Sequence, residues 1–280
     1  FAQYTSNTVA QALMPYPQYT AVNKGTAHDP IGIARFNSLQ VKATKRYSNG
    51  LTLLAFYTWM KNLTNVEGGV NNGDGNIQYP LNQAGEVSVS QDGPPHVVVF
   101  SGAYDLPFGR GKRFLKSANP FSARVVSGWN VVAYVRRASG QPLSIATGNN
   151  LAALGYPAKR ADYIAGQPIH LASNPRDFDP AINRYLNPAA FAVPAAFAFG
   201  NTARELDWAR GFSQKSESVS IGKIMPINER VRAVLRAEIV NPFNFVRWND
   251  PNTSISSGDF GKVTGTSAAR TMELYLSLEF

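Results

Sequence analysis

Apolar and polar residues alternate along seven stretches of this chain, and helical spacing of apolar positions is almost absent. The most regular stretch is TMELYLSLEF, residues 271–280. It puts Met272, Leu274, Leu276, Leu278 and Phe280 on one side and Thr271, Glu273, Ser277 and Glu279 on the other, with amphipathic Tyr275 among the polar set. RVRAVLRAEIV, 230–240, sets Val231, Ala233, Leu235, Ala237 and Ile239 against Arg230, Arg232, Arg236 and Glu238, and only Val234 breaks the pattern. FNSLQVKATKRY, 36–47, sets Leu39, Val41 and Ala43 against Gln40, Lys42, Thr44 and Arg46. Ser48-Asn49-Gly50 follows, a hairpin signal because Asn and Gly tolerate positive φ. LTLLAFYTWMK, 51–61, comes next, with a less polar second face. HVVVFSGAYDL (96–106), a stretch from about 129 to 138, and one from about 215 to 225 complete the set. In the fourth stretch Trp129, Val131, Ala133 and Val135 share a face.

The connections decide what kind of sheet this predicts. Those after the first and fifth strands are tight, at Ser48–Gly50 and 226–229. Those after the second, fourth and sixth are long, at 62–95, 140–212 and 241–270. Only the basic connection 107–127 departs, being moderately long at the end where the others are short. Short turns at one end and long loops at the other are the signature of a transmembrane β-barrel. Roughly ten residues rising ~3.3 Å each and tilted ~45° cover about 23 Å, close to the ~25 Å apolar band of an outer membrane. In a barrel the apolar rows face lipid, which makes Leu39, Val41, Trp129, Val131, Val231, Leu235, Ile239, Met272 and Leu274 the lipid-facing candidates. The row Arg232, Arg236, Glu238, Glu273 and Glu279 becomes the lumen-facing candidate, with a generic solvated wall as its plainer reading. A soluble or cell-surface β-rich binding or adhesion domain is the alternative, and a secreted β-sandwich enzyme a third. Apolar rows forming an outward belt support the barrel; apolar rows closed across a dry core support the soluble domain.

Composition narrows the field. The 280 residues include no cysteine, so disulfides, thiolate metal sites and cysteine nucleophiles are excluded. A net charge of +9 comes without a basic helix or a nucleic-acid motif, so no nucleic-acid partner is expected. The longest apolar run, AAFAVPAAFAF at 189–199, is too short for a helical span and contains Pro194; a docked loop segment is expected there. The sequence opens at Phe1 without a signal-like segment and reads as a piece of something longer.

Several stretches in order resemble one family. They are FNSLQVKATKRYSNGLTLLAFYTWMKNL (36–63), PHVVVFSGAYDLPFGRGKRFL (95–115), SGWNVVAYVRRASGQPLSI (127–145), YLNPAAFAVP (185–194), FGNTARELDWARGF (199–212), RAEIVNPFNF (236–245) and FGKVTGTSAAR (260–270), followed by the terminal strand. Each is soft alone, but their order resembles the C-terminal part of TonB-dependent outer-membrane receptors of the Oar-like, acidobacterial type. The resemblance implies a location in the bacterial cell outer membrane and a parent barrel of about 22 strands with a plug inside. It implies import of a ligand driven by TonB acting through that plug. Here the plug and the earlier strands are absent, so residues 1–280 are expected to supply the last part of the wall, with the long loops outside the cell and the short turns inside. The terminal residues Leu276, Leu278 and Phe280 resemble the signal by which the barrel-assembly machinery recognises its substrates. Outer-membrane lipid, that machinery, TonB and an unidentified imported ligand are therefore the expected partners.

Chemistry-bearing motifs are few. His28, His96 and His170 lie far apart, without metal-ligand spacing, so no metal is expected. FGRGKRF (108–114) lacks the Walker spacing and reads as a basic turn, and NNGDGN (71–76) lacks EF-hand spacing and reads as a loop tip. No catalytic constellation and no cofactor site is expected. The loop aromatics Tyr156, Tyr163, Phe178, Tyr185, Phe191, Phe197 and Trp208 are expected either to bind ligand or to pack the long loop against itself. Seven strands leave two free edges, so an open curved sheet or an artificially closed small barrel is expected.

Overall fold

The computed structural model describes residues 9–12, 16–19, 32–65, 77–79, 82–109, 112–116, 119–148, 151, 159–171, 178–267 and 269–280. All seven alternating stretches are strands of one antiparallel sheet. They are β1 (Ala34–Ser48), β2 (Leu51–Thr64), β4 (His96–Asp105), β5 (Trp129–Ala138), β10 (Gln214–Pro226), β11 (Arg232–Val240) and β12 (Thr271–Glu279), paired in that order. A short strand, β3 (Ser88–Val89), pairs with the far end of β2. Two small two-stranded sheets stand apart from it: β6 (Pro142–Leu143) with β9 (Leu206–Arg210), and β7 (Asp162–Tyr163) with β8 (Phe191–Ala192). Among the described residues, no helix is long and apolar enough to cross a membrane.

Directly opposed residues in an antiparallel pair share a face. Following the register from strand to strand therefore traces each face. One row runs Leu51, Tyr104, Val131, Ile221, Ala237, Leu274. On the same face, Leu39 opposes Trp59, Val41 opposes Tyr57, Leu235 opposes Leu276 and Ile239 opposes Met272. The row one residue along runs Thr52, Ala103, Val132, Ser220, Glu238, Glu273 on the other face. A row that starts at Lys45, close to the β1–β2 turn, ends at Met272, at the opposite end of β12. Each strand is thus displaced along its neighbour in one sense, as tilted barrel strands are.

The sheet is open. Every residue of β1 and of β12 is exposed, and neither strand has a partner on its outer side among the described residues. The β1–β2 hairpin turns at Asn49 (φ 53°) and Gly50 (φ 81°), the positive-φ pair that a two-residue turn needs. A Cβ at Gly50 would stand 2.8 Å from the Asp105 carbonyl oxygen, so the turn can lie against the end of β4 only with glycine there.

Boundaries differ from the sequence expectation in four places. β1 and β2 extend to Ala34 and Thr64, because β3 and the loop beyond it supply backbone partners. β11 begins at Arg232, not 230. The Asn228 side-chain oxygen accepts from both Arg230 N (2.9 Å) and Val231 N (2.8 Å), which bends the chain into a turn. Val231, expected on the lipid-facing row, therefore lies in that turn, outside the strand. The connection 107–127, which the sequence marks only as basic and moderately long, carries a helix. After an N-terminal helical turn (α1, Val9–Ala12), the chain forms α2 (Pro120–Val126), capped by Asn119 Oδ1 accepting from Ser122 N at 2.8 Å, with Pro120 in the first turn. Its last carbonyls hold Lys223: Nζ donates to Arg124 O (3.0 Å) and Ser127 O (3.1 Å) and stands 4.7 Å from the Trp129 ring centre.

Val99, Ala138 and Ala233 are buried on the sheet, but the main buried cluster lies off it. Leu143, Ile145, Ala161, Leu186, Ala190, Phe191, Leu206, Ala209 and Phe260 form it, all from the long connections. On the two edge strands the apolar row is uncovered, with Leu39 54% exposed, Met272 62% and Leu274 68%, while on the inner strands Val131 and Ile221 are half-buried.

Candidate functional site: a folded loop assembly on the sheet rim

The three long connections leave the same end of the sheet and fold together. The long connection 140–212 is zipped by its own short strands. Its ends meet where Gly211 N donates to Gln141 O at 2.9 Å. It is tied to the third long loop where Ala146 N donates to Thr253 O (3.0 Å) and Tyr185 N to Gly261 O (2.7 Å). It is tied to the first where Gln78 Nε2 donates to Gly200 O (2.9 Å) and Gly200 N to Gln78 Oε1 (3.2 Å). Gly200 is required at that crossing, since a Cβ there would stand 2.1 Å from Arg160 O.

Buried charges lock the assembly. Glu86 and Arg160, 74 residues apart, form an ion pair with both side chains almost fully buried. Burial pulls the Arg160 guanidinium pKa down, and Glu86 beside it pulls it back up. Arg204 Nη2 donates to Thr64 O at 2.7 Å, joining the loop to the end of β2, and Gln91 Nε2 donates to Glu205 Oε1 at 2.8 Å. At the rim of β10 the fully buried Glu217 carboxylate bridges Arg137 of β5 and Arg247 of the third loop, the latter at 2.8 Å. Buried Asn241 (φ 53°) starts that third loop: its amide accepts from Phe245 N (2.9 Å) and donates to Phe245 O (3.0 Å). Sequence reading passed over these groups. The one signal was Glu217, a carboxylate in register with the apolar row.

The loop aromatics pack against one another. Tyr163 and Trp208 have ring centres 4.9 Å apart, and Phe191 stacks on Trp208 at 6.3 Å. Tyr185 contacts Phe212 at 4.3 Å and His170 at 4.6 Å, and Phe178 contacts Phe212 at 5.4 Å. Phe197 stays exposed, and Tyr156 lies outside the described residues. Of the run 189–199, Ala190 and Phe191 are docked in the core.

Burial pushes the Tyr185 hydroxyl up to about 12, with Asp250 adding to the effect. Burial also raises Asp250, against the pull of the Phe212 backbone N–H. Burial lowers His170 below its ordinary 6.5, against a backbone hydrogen bond with Tyr185. A histidine held neutral in the folded state loses its contribution as pH falls. Below about 6.5 the unfolded chain takes up a proton that the folded loop still refuses. Loop stability is therefore expected to fall as the pH drops from 7 toward 5, read as faster limited proteolysis within 160–190, and His170→Phe is expected to flatten that slope.

The remaining expected sites fall as follows. Arg232 pairs with Glu279 across β11 and β12, and Arg236 Nη1 stands 3.5 Å from Glu238 Oε1. Glu238 opposes Glu273 directly, and the Tyr275 hydroxyl donates to Glu273. All five expected lumen residues thus share the face opposite the apolar row. Trp129, opposing Lys223, and Val131 join Leu39, Val41, Leu235, Ile239, Met272 and Leu274 on that apolar face. Leu276 and Leu278 extend the row, and Phe280 follows the last paired residue, 91% exposed. His96 lies 2.8 Å from the Tyr57 hydroxyl, while His28 and residues 71–76 lie outside the described residues. The basic turn closes on itself, with Gly109 N donating to Phe114 O (3.0 Å) and Phe114 N to Pro107 O (2.9 Å). Among the described residues no group of three or more His, Asp or Glu side chains comes together to hold a metal ion.

No curated protein and no solved structure matches the chain. The profile of one family, the outer membrane beta barrel domain, matches residues 2–273. That match accounts for the tilted antiparallel strands, the one-sided apolar row and the loops gathered at one end: the chain belongs to the outer membrane beta barrel domain family, and its place is the bacterial outer membrane.

Proposed function

We propose that this chain forms wall and extracellular loops of a TonB-dependent receptor that binds a ligand outside the cell and imports it. The observation that carries the reading is an open wall of seven alternating strands with a folded loop assembly at one end only. Seven strands of alternating direction leave β1 and β12 running the same way. Joined directly, they would pair in parallel, whereas outer-membrane barrels are antiparallel throughout. Completing the barrel therefore takes an odd number of further strands beyond the described residues. An unpaired edge in lipid costs several kcal/mol per exposed backbone group, so both edges demand partners. The ordered resemblance from FNSLQVKATKRY to the terminal strand supports the receptor type.

In this reading the apolar row faces lipid, and the row of Arg232, Arg236, Glu238, Glu273 and Glu279 faces the lumen, toward plug or ligand. The loop assembly stands outside the cell, and the barrel-assembly machinery reads Leu276, Leu278 and Phe280. The segment encloses and binds; it does no chemistry. A soluble domain would have to leave the whole apolar row in water. The test is crosslinking in intact cells between TonB and the polypeptide that carries this chain. A TonB adduct whose yield rises with the external ligand load is expected. Efficient outer-membrane assembly with no TonB adduct would overturn the receptor reading and leave the barrel.

A further inference from the structure

At the long-loop end of the apolar row the chemistry changes abruptly. Arg137 of β5 directly opposes Lys215 of β10, on the same face as Val131, Ile221 and Leu274. The Phe245 ring lies between the two cations, 5.8 Å from the Arg137 guanidinium carbon and 5.2 Å from Lys215 Nζ. The single carboxylate of Glu217 serves both Arg137 and Arg247, and Lys215 has no carboxylate partner among the described residues. Arg137, Lys215 and Arg247 stand here against two carboxylates, Glu217 and Asp250, so positive charge exceeds negative charge at this spot. Beside it opens a cavity of about 830 Å³ whose aromatic lining is Phe178, Tyr185, Phe212, Phe245 and Trp248. The sheet strands lend it only Arg137 and Lys215, both from the apolar face. The cavity thus opens on the side that the apolar row faces.

We infer that this rim cavity binds the net-negative, phosphorylated headgroup of an outer-leaflet lipid, which rests on the reading above that the apolar row meets lipid. Lys and Arg at the ends of an apolar band place their charge at headgroup level, and aromatic rings favour the same depth. A guanidinium offers a phosphate two parallel N–H donors, and an ammonium adds a compact charge. The acyl chains continue down the row over Val135, Ala133 and Val131, while the aromatic wall covers the polar part of the lipid. Lys215 stands ready as a donor, since Phe245 presents it a ring face rather than a competing acceptor, while Arg137 keeps its Glu217 pairing and offers its remaining N–H groups.

The experiment uses the protein extracted from its outer membrane in mild detergent and placed in mixed micelles. These contain phosphatidylglycerol or phosphatidylcholine, and native mass spectrometry counts the retained lipid. Phosphatidylglycerol is expected to be retained preferentially. Lys215→Gln is expected to weaken that preference about fivefold, Lys215→Arg to keep it, and Lys45→Gln, on the same face but far from the cavity, to leave it unchanged. Equal retention of both lipids would overturn the inference. So would an unaltered Lys215→Gln variant, or displacement by millimolar inorganic phosphate, which would make this a soluble-anion site. A spin label at a cysteine replacing Val131 separates the two levels. Oxygen access there without lipid preference sinks the rim site alone; water access there sinks the lipid-facing reading itself.

Discussion

Replacing Arg160 by alanine is expected to destabilise the loop assembly by about 3–5 kcal/mol, because it leaves the buried Glu86 carboxylate without its guanidinium. The change touches no wall strand. Its effect should therefore be confined to the loops, with hydrogen exchange speeding at 82–91 and 159–171 while the β4, β5 and β10 amides hold. The penalty comes from an orphaned charge, not from the worth of the pair. Glu86→Gln combined with Arg160→Met should consequently recover much of the loss, since a matched polar–apolar replacement strands no charge. Wild-type exchange rates in Arg160→Ala would mean that the loops are held by their aromatic packing alone.

Placing arginine on the apolar row is the second large effect. Ala133→Arg sits mid-strand in β5, in the row Leu53, Gly102, Ala133, Val219, Ile239, Met272 on the apolar face. At the midplane of a membrane such a change costs about 2–4 kcal/mol. Ser220→Arg lies one residue off that row, between Val132 and Glu238 on the opposite face, and is expected to cost little. Outer-membrane levels of the assembled protein check both: Ala133→Arg should fall well below wild type and Ser220→Arg should match it. Equal levels for the two variants would mean that the faces do not differ in what they meet.

What could be read from sequence and what could not divide along a physical line. Wall strands announce themselves because membrane and water impose period two on every residue, so β5, β10 and β12 fall within a residue or two of their expected limits. The faces followed from the same alternation. The loop assembly was opaque because its contacts are distant in sequence: Glu86 to Arg160, Gln78 to Gly200, Thr64 to Arg204. No local spacing announces such pairs. Helix α2 is too short for a periodic signal, and its only mark was Asn119-Pro120, a cap followed by a first-turn proline. Val231 was misplaced because the alternation continues into a turn that the Asn228 side chain imposes. The aromatics were weighed between ligand binding and self-packing, and Tyr163, Phe178, Tyr185, Phe191 and Trp208 pack against one another. The rim cluster at Glu217 has no local signature because its three members, Arg137, Glu217 and Arg247, come from three different segments.

The claim on which the rest depends is the orientation of the two faces. The chain contains no cysteine, so single cysteines can be placed and spin-labelled without background. Labels at Val41, Leu235 and Leu274 report one face, and labels at Lys42, Arg236 and Glu273 the other. Collision rates with oxygen, which partitions into lipid, and with a water-soluble nickel complex are then measured in the membrane. The first three labels should collide more with oxygen and the second three more with nickel; nickel access at Val41, Leu235 and Leu274 would contradict the barrel wall described here.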